Sequence, residues 1–573
     1  MIKECEAKAQ AWLSSPYYDE ETKAEIREMM QNEDKTALID AFYQNLEFGT
    51  GGLRGIMGAG TNRMNKYIVG MATQGFANYL LKAFPEDKQL SVVVGHDCRN
   101  NGRLFAETVA AIFSANGIKV YLFESLRPTP EVSFAIRHLH AQAGVNVTAS
   151  HNPKEYNGYK AYWEDGAQVL APHDKGIIDE VNKVKMEDVK QQAVPELIEI
   201  IGGEVDYDYM QAVHEAMIDQ DVILRQKDLN IVYSAMHGAG RVIVPLCLRS
   251  WGFQNIHVVP EQMVIDGDFP TVSYPNPEAK EAFELGLALA KEKNADLVLA
   301  TDPDADRLGV YVKDTKSGEY IPLTGNMSGS LLCEYVLSQK QASGKIPADG
   351  QVVKSIVTTN LVDAVAKNYG AELIEVLTGF KWIGKQVLKN EQEGKGTYLF
   401  GMEESYGCLA GTHARDKDAV VAVMCLCEVA AWCKKHGKTL YDMMLEIYEK
   451  YGYYKETQYA ITLKGIDGSK QIAAIMDKLR SNPPKKFGEL DVVRVRDYEK
   501  DVITELATGK TYPTGLPKSN VLYFDLTNDS WCCARPSGTE PKIKFYMGVK
   551  GTSLEDAQNK VEALTAEVKA VLD

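Results

Sequence analysis

The stretch Leu90–Phe123, LSVVVGHDCRNNGRLFAETVAAIFSANGIKVYLF, decides the fold class. It begins with an apolar run, passes through a polar loop, and continues with apolar residues at helical spacing. Gly117 then separates this segment from a second apolar run. A strand, a helix, a glycine that ends the helix and another strand, in that order, are typical of α/β sheets. We therefore predict an α/β unit here.

The same pattern occurs twice more in the chain. Leu229–Val259 has Gly252 after its helical segment, and Gln351–Leu377 has Gly370 in that position. Three separate units predict three similar α/β domains with mixed sheets. From about Tyr453 the strands and helices follow an α+β order, which predicts a smaller C-terminal domain. The four predicted domains are residues 1–204, 205–320, 321–450 and 451–573.

Composition limits the classes of partner. Of 573 residues, 45% are hydrophobic and 25% charged, which is ordinary for a globular protein. The net charge of −16 disfavours a nucleic-acid partner and leaves a small anionic molecule as the expected one. No apolar run approaches the ~20 residues of a membrane-spanning helix, and we expect no membrane partner. The N-terminal residues lack a secretory signal and the ten cysteines are scattered, so we predict a cytoplasmic location.

The first polar loop is Phe48–Asn65, FGTGGLRGIMGAGTNRMN. Its glycines allow the backbone to approach an anion closely, and Arg54 and Arg63 can pair with a phosphate. A glycine-rich run of this kind is also common in plain turns.

The second loop, Thr148–Lys160 (TASHNPKEYNGYK), delivers Ser150 beyond the end of an apolar strand. Ser150 can be a nucleophile, a carrier of phosphate, or a hydroxyl that caps a turn. His151 adjoins it in sequence and no G-x-S-x-G motif is present, which disfavours a hydrolase triad without excluding a distant base.

The third loop lies in Leu297–Val312, LVLATDPDADRLGVYV. Asp302, Asp304 and Asp306 alternate between two apolar strands, so their carboxylates can converge on one hard cation such as Mg²⁺. A solvated acidic turn is the alternative, but three acids between apolar strands are unfavourable unless a cation neutralises them.

Two further loops offer groups for a sugar phosphate. The fourth region runs from Thr378 to Lys417. Its carboxylates can accept hydrogen bonds from sugar hydroxyls, and basic residues add positive charge nearby. Its members are Thr378, Gly379, Lys381, Glu403, Glu404, Ser405, Arg415 and Lys417. The fifth loop has a donor set suited to a dianionic phosphate: Arg535, Ser537, Gly538, Thr539, Lys542 and Lys544. A charged surface loop and a basic turn are the respective alternatives. The five loops together indicate phosphoryl transfer on a phosphorylated sugar.

These motifs resemble those of one known family, the α-D-phosphohexomutases. TASHNP (148–153) is similar to the family's phosphoserine loop, DPDADR (302–307) to its metal loop, EES (403–405) to its sugar loop and RPSGTEPK (535–542) to its phosphate loop. The four occur in family order, one in each predicted domain. The closest resemblance is to the branch that contains bacterial α-phosphoglucomutases and the animal phosphoglucomutase-2 type.

The resemblance implies four domains around a central cleft and interconversion of glucose 1-phosphate and glucose 6-phosphate. It implies Mg²⁺ as the metal and glucose 1,6-bisphosphate as intermediate and activator. It assigns the transferable phosphoryl group to Ser150 and makes Lys160 a candidate general acid/base, with His151 and Arg54 in the same centre. The metal ligands would be Asp302, Asp304, Asp306 and the phosphate on Ser150. The substrate would be bound by Arg307, Thr378, Gly379, Glu403, Ser405, Lys417, Arg535, Ser537, Gly538, Thr539 and Lys544.

Two positions depart from the family pattern. Met402 stands where many members have glycine, and Ala419-Val420 follows a segment after which others have glycine and a bulky residue. We expect these changes to affect the choice of sugar more than the chemistry. Phosphomannomutase and phosphopentomutase activity are therefore alternatives within the family. A serine-dependent sugar phosphatase and a non-catalytic sugar-phosphate sensor are alternatives of other classes.

Overall fold

The computed structural model describes residues 1–49, 51–463, 465–537 and 542–572. They form two compact units, each assembled from three separate segments of the chain. The first unit contains Met1–Leu323, Ile383–Gly394 and Tyr406–Thr439. The second contains Thr324–Trp382, Lys395–Ser405 and Leu440–Asp573.

The chain begins with helices and then forms a six-stranded sheet of order β1-β5-β4-β2-β3-β6. Strands β4, β2, β3 and β6 run parallel, whereas β5 and β1 are antiparallel to their neighbours. The elements are α1 (Ile2–Ser14), α2 (Glu20–Gln31), α3 (Thr36–Phe42), β1 (Gly52–Ile56), α4 (Lys66–Ala83), β2 (Ser91–His96), α5 (Gly102–Ala115), β3 (Lys119–Phe123), α6 (Thr129–His138), β4 (Ala143–Val147), β5 (Tyr156–Trp163), α7 (His173–Val181) and β6 (Ile198–Ile201).

A second mixed sheet follows, of order β11-β10-β9-β7-β8. Its strands β9, β7 and β8 are parallel, and β10 pairs antiparallel with β9. The elements are α8 (Gly203–Glu215), α9 (Gln220–Arg225), β7 (Asn230–Ser234), α10 (Gly240–Trp251), β8 (Asn255–Val258), α11 (Glu284–Lys293), β9 (Leu297–Thr301), β10 (Leu308–Lys313) and β11 (Tyr320–Leu323).

In the next region β12 pairs in parallel with β13 on one side and with β14 on the other. The elements are α12 (Gly325–Ala342), β12 (Gly350–Ser355), α13 (Leu361–Asn368), β13 (Glu372–Val376), α14 (Phe380–Glu393), β14 (Thr397–Glu403), β15 (Gly407–Ala410), α15 (Ala419–Lys435) and α16 (Leu440–Tyr451). Helix α15 is part of the first unit, where it packs against α8, α9 and α10.

The C-terminal region is an antiparallel sheet of order β16-β23-β22-β21-β18-β19-β20 with two helices packed on it. Its own apolar core extends from Ile472 to Val568. The elements are β16 (Tyr453–Thr462), α17 (Gly465–Ser481), β17 (Lys486–Phe487), β18 (Leu490–Asp497), β19 (Val502–Glu505), β20 (Thr511–Tyr512), β21 (Leu522–Leu526), β22 (Trp531–Pro536), β23 (Lys542–Gly551) and α18 (Leu554–Leu572).

The glycines of the three repeated stretches end their helices as predicted. Gly117, Gly252 and Gly370 have φ values of 78°, 123° and 70°, a region that residues with a Cβ atom rarely adopt. After α5, the amide of Ile118 donates to the carbonyl of Phe113, which closes the helix end in the manner of a Schellman motif. The fold class is confirmed: three α/β regions are followed by an α+β region.

Within the described ranges, no helix combines the length and the apolar character needed to cross a membrane. The cytoplasmic location and the boundaries near residues 205, 320 and 450 stay predictions.

Candidate active site

The candidate nucleophile lies just after a buried parallel strand. β4 ends at Val147, and Ser150 follows in a tight loop with a φ of 52°, which is unusual for a residue other than glycine. Ser150 is 4% exposed. Its Oγ donates to Asp302 Oδ2 at 2.9 Å and lies 3.2 Å from His151 Nδ1. The loop therefore aims the hydroxyl at the acidic cluster and not into solvent.

The acidic cluster occupies the loop between β9 and β10. Asp302, Asp304 and Asp306 are buried, and one carboxylate oxygen from each lies within 4.8 Å of the others. Ala305, with a φ of 51°, turns the chain between them. The loop is braced from within, because Asp302 Oδ1 accepts the amides of Asp306 and Arg307 at 3.0 Å each.

The cluster has the chemistry of a site for a hard divalent cation. Asp304 Oδ1 and Asp306 Oδ1 are buried and accept no hydrogen bond from the described residues. A buried carboxylate oxygen without a donor is unfavourable unless a cation binds it. In the part of the chain that the structure describes, this is the one group of three such ligands. The structure therefore brings the three predicted aspartates together, and their role as metal ligands stays a prediction.

Two buried lysines face the same carboxylates. Lys160 Nζ lies 2.7 Å from Asp304 Oδ2 and 3.1 Å from Asp306 Oδ2, and Lys417 Nζ lies 2.9 Å from Asp306 Oδ2. Burial alone would lower the pKa of Lys160, but Asp304 and Asp306 outweigh it and raise that pKa. Burial is likewise outweighed at Lys417, where Asp306 and Asp416 raise the pKa. Both side chains are therefore ammonium groups in this arrangement.

His151 lies in the same centre as a neutral imidazole. Burial lowers its pKa first, and the charges of Arg307 and Arg54 lower it further. Arg54 itself donates to Asn152 Oδ1 at 3.1 Å, within the loop that carries Ser150. The geometry therefore brings the predicted residues Arg54, Ser150 and His151 together.

Arg307 is held from two sides. Its Nη1 lies 3.3 Å from Glu278 Oε1, and its Nε lies 3.9 Å from Asp306 Oδ1. Two other basic residues of the predicted loops, Arg63 and Arg415, form contacts that stabilise the fold. Arg63 pairs with Asp40 at 2.7 Å, and the buried Arg415 contacts Glu391 and the Thr412 carbonyl.

The second unit contains the predicted sugar loop. Gly379 donates its amide to Glu403 Oε1 at 2.6 Å, and next to it Thr378 Oγ1 is buried without a hydrogen-bond partner among the described residues. Ser405 follows Glu403 closely in the same loop. Burial and the neighbouring Glu403 carboxylate raise the pKa of Glu404 to about 7. Glu404 also accepts from Ser355 Oγ at 3.2 Å.

The phosphate loop follows β22 in the same unit. Arg535 and Lys544 are directly opposite each other in the antiparallel pair of β22 and β23, which places two cationic residues at neighbouring positions. The amide of Ser537 donates to the Lys542 carbonyl at 2.7 Å. The predicted residues Gly538 and Thr539 lie outside the described residues.

Met402, the first departure from the family pattern, is fully buried in β14. A Cβ atom at Gly329 of α12 would lie 2.3 Å from Met402 Cε, so the large side chain occupies the space that this glycine leaves. Successive strand residues point to opposite faces, which directs Met402 and Glu403 apart. The methionine is therefore a core residue.

The second departure, Ala419-Val420, forms the start of α15. Asp418 caps this helix by accepting the amides of Val420 and Val421, and Ala419 donates its amide to the Ala305 carbonyl. The start of α15 thus contacts the acidic loop through its backbone.

Three residues that no sequence motif predicted also support the site: Asp97, Arg99 and Thr129. Thr129 donates its hydroxyl to Asp304 Oδ2 at 2.7 Å, and Arg99 donates to the Ser150 carbonyl at 2.6 Å. A signal was present for two of them, because Asp97 and Arg99 follow β2, which is parallel to and paired with β4. The carboxyl ends of paired parallel strands meet at one edge of the sheet.

Three family models match this chain, and they match in the order of the three α/β regions. Residues 45–188, 207–318 and 324–451 match the family models described as phosphoglucomutase/phosphomannomutase, alpha/beta/alpha domains I, II and III. A phosphoglucomutase of Staphylococcus haemolyticus is 36% identical over 527 residues, which cover 91% of this chain and 93% of that relative. This chain belongs to the phosphoglucomutase/phosphomannomutase family. A phosphoglucomutase of Staphylococcus aureus strain USA300 is 34% identical, with 96% of each chain covered.

Solved structures of the phosphoglucomutase/phosphomannomutase family share the fold. A family protein from Burkholderia thailandensis is 20% identical with a TM-score of 0.66, and the match covers 91% of this chain and 97% of that one. The open form of parafusin, a phosphoglucomutase from Paramecium, is 19% identical with a TM-score of 0.67, covering 92% and 96%. The predicted family is confirmed.

Proposed function

We propose that this enzyme is a phosphoglucomutase that interconverts glucose 1-phosphate and glucose 6-phosphate through a phosphoserine. The observation that carries the proposal is the 2.9 Å hydrogen bond from Ser150 Oγ to Asp302 within a buried cluster of three aspartates. A hydroxyl aimed at a cation site suits transfer of a phosphoryl group. The phosphoglucomutases that match nearly the whole chain support the same reaction.

In the proposed reaction the bond between Ser150 Oγ and phosphorus breaks while a sugar hydroxyl oxygen bonds to phosphorus. The sugar hydroxyl loses its proton, Ser150 Oγ gains one, and the product is glucose 1,6-bisphosphate. After the bisphosphate turns around, its other phosphoryl group returns to Ser150. Because one phosphate must always stay bound while the other is transferred, the site needs a separate phosphate-binding loop.

The cations around Ser150 fit this charge distribution. Lys160 and Lys417 are ammonium groups beside the aspartates, so they balance negative charge near the transferring group. Lys160 starts protonated, and its role as the general acid for the leaving serine oxygen requires its raised pKa to fall during the reaction. Neutral His151 and the charged Arg54 complete the same centre.

We assign Mg²⁺ to Asp302, Asp304 and Asp306, together with a phosphate oxygen on Ser150. The two buried carboxylate oxygens without donors fit such an ion. When bound, Mg²⁺ would neutralise charge that develops on the phosphoryl group.

The second unit would recognise the substrate. We assign the sugar hydroxyls to Glu403 and Ser405, and the phosphate that is not transferred to Arg535, Ser537, Gly538, Thr539 and Lys544. Thr378 and Gly379 would assist from the sugar loop. The family resemblance also assigns Arg307 and Lys417 to substrate binding. The buried Thr378 hydroxyl supports this role, since it has a donor and acceptor to offer a ligand.

A coupled assay tests the proposal. Purified enzyme should convert glucose 1-phosphate to glucose 6-phosphate faster than it converts mannose 1-phosphate or ribose 1-phosphate. Removal of divalent cations by EDTA should stop turnover, and Mg²⁺ should restore it. Mass spectrometry should find phosphate on the Ser150 peptide.

Other outcomes would identify the alternatives. Faster conversion of the mannose or ribose ester would assign the enzyme to that sugar instead. Release of inorganic phosphate in step with substrate loss would indicate a phosphatase. Full mutase activity of a Ser150→Ala variant would refute the phosphoserine.

A further inference from the structure

The backbone of Ser150 needs external support. Its φ of 52° lies in the left-handed region, which is unfavourable for a residue with a Cβ atom. The residue keeps this conformation only if neighbouring groups hold it. Two side chains that do not touch Ser150 Oγ supply the contacts.

Arg99 holds the loop through its carbonyl groups. Its side chain is 0% exposed, and its two terminal nitrogens donate to four backbone carbonyls. Nη2 bonds to Ser150 at 2.6 Å and to Asn152, whereas Nη1 bonds to Pro153 at 2.8 Å and to Tyr156 at 2.9 Å. A planar guanidinium can direct donors along these fixed directions, which a lysine ammonium cannot reproduce.

Asp97 holds the amide side of the same loop. Its Oδ2 accepts from Thr148 Oγ1 at 2.6 Å, and Thr148 Oγ1 accepts the Ser150 amide at 2.8 Å. Asp97 Oδ1 accepts the amide of Arg99 at 2.9 Å, so the two supports are connected. Both Asp97 and Thr148 are buried.

A residue of the second α/β region packs against the Arg99 side chain. The Arg99 guanidinium lies 5.2 Å from the ring centre of Phe269, a buried residue in the loop after β8. Stacking of a guanidinium on an aromatic face leaves its in-plane donors free to bind the carbonyls.

We infer that Asp97 and Arg99 are positioning residues that, with Thr148 as a relay, fix Ser150 Oγ in its place for phosphoryl transfer. The inference rests on the proposed mutase function. Neither residue hydrogen-bonds to the reacting oxygen, so both position it through the loop that carries Ser150. Misplacement of a reacting group by about 1 Å can reduce a rate by roughly 100-fold.

A matched pair of substitutions at Thr148 tests the relay. Valine has the shape of threonine without the hydroxyl, and serine keeps the hydroxyl. We expect Thr148→Val to lower kcat for glucose 1-phosphate by about 10–100-fold, with KM within about threefold of wild type. Thr148→Ser should stay within about threefold of wild type in kcat, because its hydroxyl rebuilds the relay.

Arg99→Lys tests the second support. It keeps the charge and loses the planar fork, so we expect a fall in kcat of about 10–100-fold at nearly constant KM. Thr73→Val is the control for loss of a buried hydroxyl elsewhere, since Thr73 Oγ1 donates to the Val69 carbonyl within α4. It should lower the melting temperature without lowering kcat.

Hydrogen exchange of the peptide 148–156 provides a readout independent of activity. Thr148→Val and Arg99→Lys should speed exchange in this peptide, whereas Thr73→Val should not. Wild-type kcat in both site variants, or unchanged exchange in both, would overturn the inference. An inactive wild-type enzyme would refute the proposed function, and the exchange result would then decide separately whether these residues hold the loop.

Discussion

At the residue scale, the site combines buried charges whose neighbours set their protonation. Asp306 has Lys160 and Lys417 within 3.1 Å, so burial raises its pKa less than these cations lower it. Glu404 has a carboxylate neighbour instead, and its pKa rises to about 7. Identical chemical groups thus take different charge states in the two units.

The raised pKa of Glu404 predicts a pH-dependent stability difference. The unfolded chain releases this proton near pH 4.5, but the folded protein holds it up to about pH 7. The contribution of Glu404 to stability is therefore present at low pH and is lost as the pH rises through 7. At pH 5 Glu404→Gln should exceed wild type in stability by roughly 1 kcal/mol at most. At pH 8 the gain should be roughly 3 kcal/mol, about 6–12 °C in melting temperature.

Differential scanning calorimetry at the two pH values provides the measurement. Glu449→Gln is the control, because Glu449 is an exposed residue of α16 in the same unit. An equal gain for Glu404→Gln at pH 5 and pH 8 would contradict the assigned titration.

At the element scale, the sequence predicted which strands end at the site and missed what supports the loops between them. Ser150 and the three aspartates were found because polar residues interrupt apolar strands at their carboxyl ends. Arg99 was missed because its partners are backbone carbonyls of residues 150–156, which no side-chain pattern reveals. The sequence pattern relates Met402 to the choice of sugar, whereas the structure packs it at Gly329, which is 73 residues away in the chain.

The packing of β14 on α12 predicts coupling between Met402 and Gly329. Met402→Ala should lower stability by about 2–4 kcal/mol because it leaves a cavity. Gly329→Ala should also destabilise, since its Cβ would lie 2.3 Å from Met402 Cε. The double variant should lose less than the sum of the single losses, because the alanine methyl group enters the space that the methionine vacates.

A double-mutant cycle measures this coupling from the melting temperatures of wild type and the three variants. The relative rates with glucose and mannose 1-phosphates should stay unchanged in Met402→Ala. Additive losses, or a switch in sugar preference, would show that Met402 is not a simple core residue.

At the scale of the whole molecule, the two units are interleaved along the chain. Helix α15 belongs to the first unit although about 100 residues separate it from Leu323. Fourteen of its 17 residues are buried, and Glu428 accepts the amides of Ile218 and Asp219. The first unit therefore includes segments that lie well beyond Leu323 in the sequence.

A truncated chain tests whether the first unit depends on α15. Residues 1–323 alone lack α15, so the apolar faces of α8, α9 and α10 would be exposed. We expect this fragment to bind the dye ANS and to melt without a cooperative transition, whereas the full chain should melt cooperatively. Cooperative melting of residues 1–323 would show that α15 is dispensable for the first unit.

The interleaving also affects how the protein is made. Ribosomes add about 5–20 residues per second, so roughly 6–23 s pass between synthesis of Leu323 and of Thr439, the last residue of the first unit. During that interval, the nascent chain carries the helix faces that α15 will later cover. The position of one helix in the sequence thus creates a period in which the growing polypeptide exposes apolar surface that the folded protein buries, and slower translation would lengthen it.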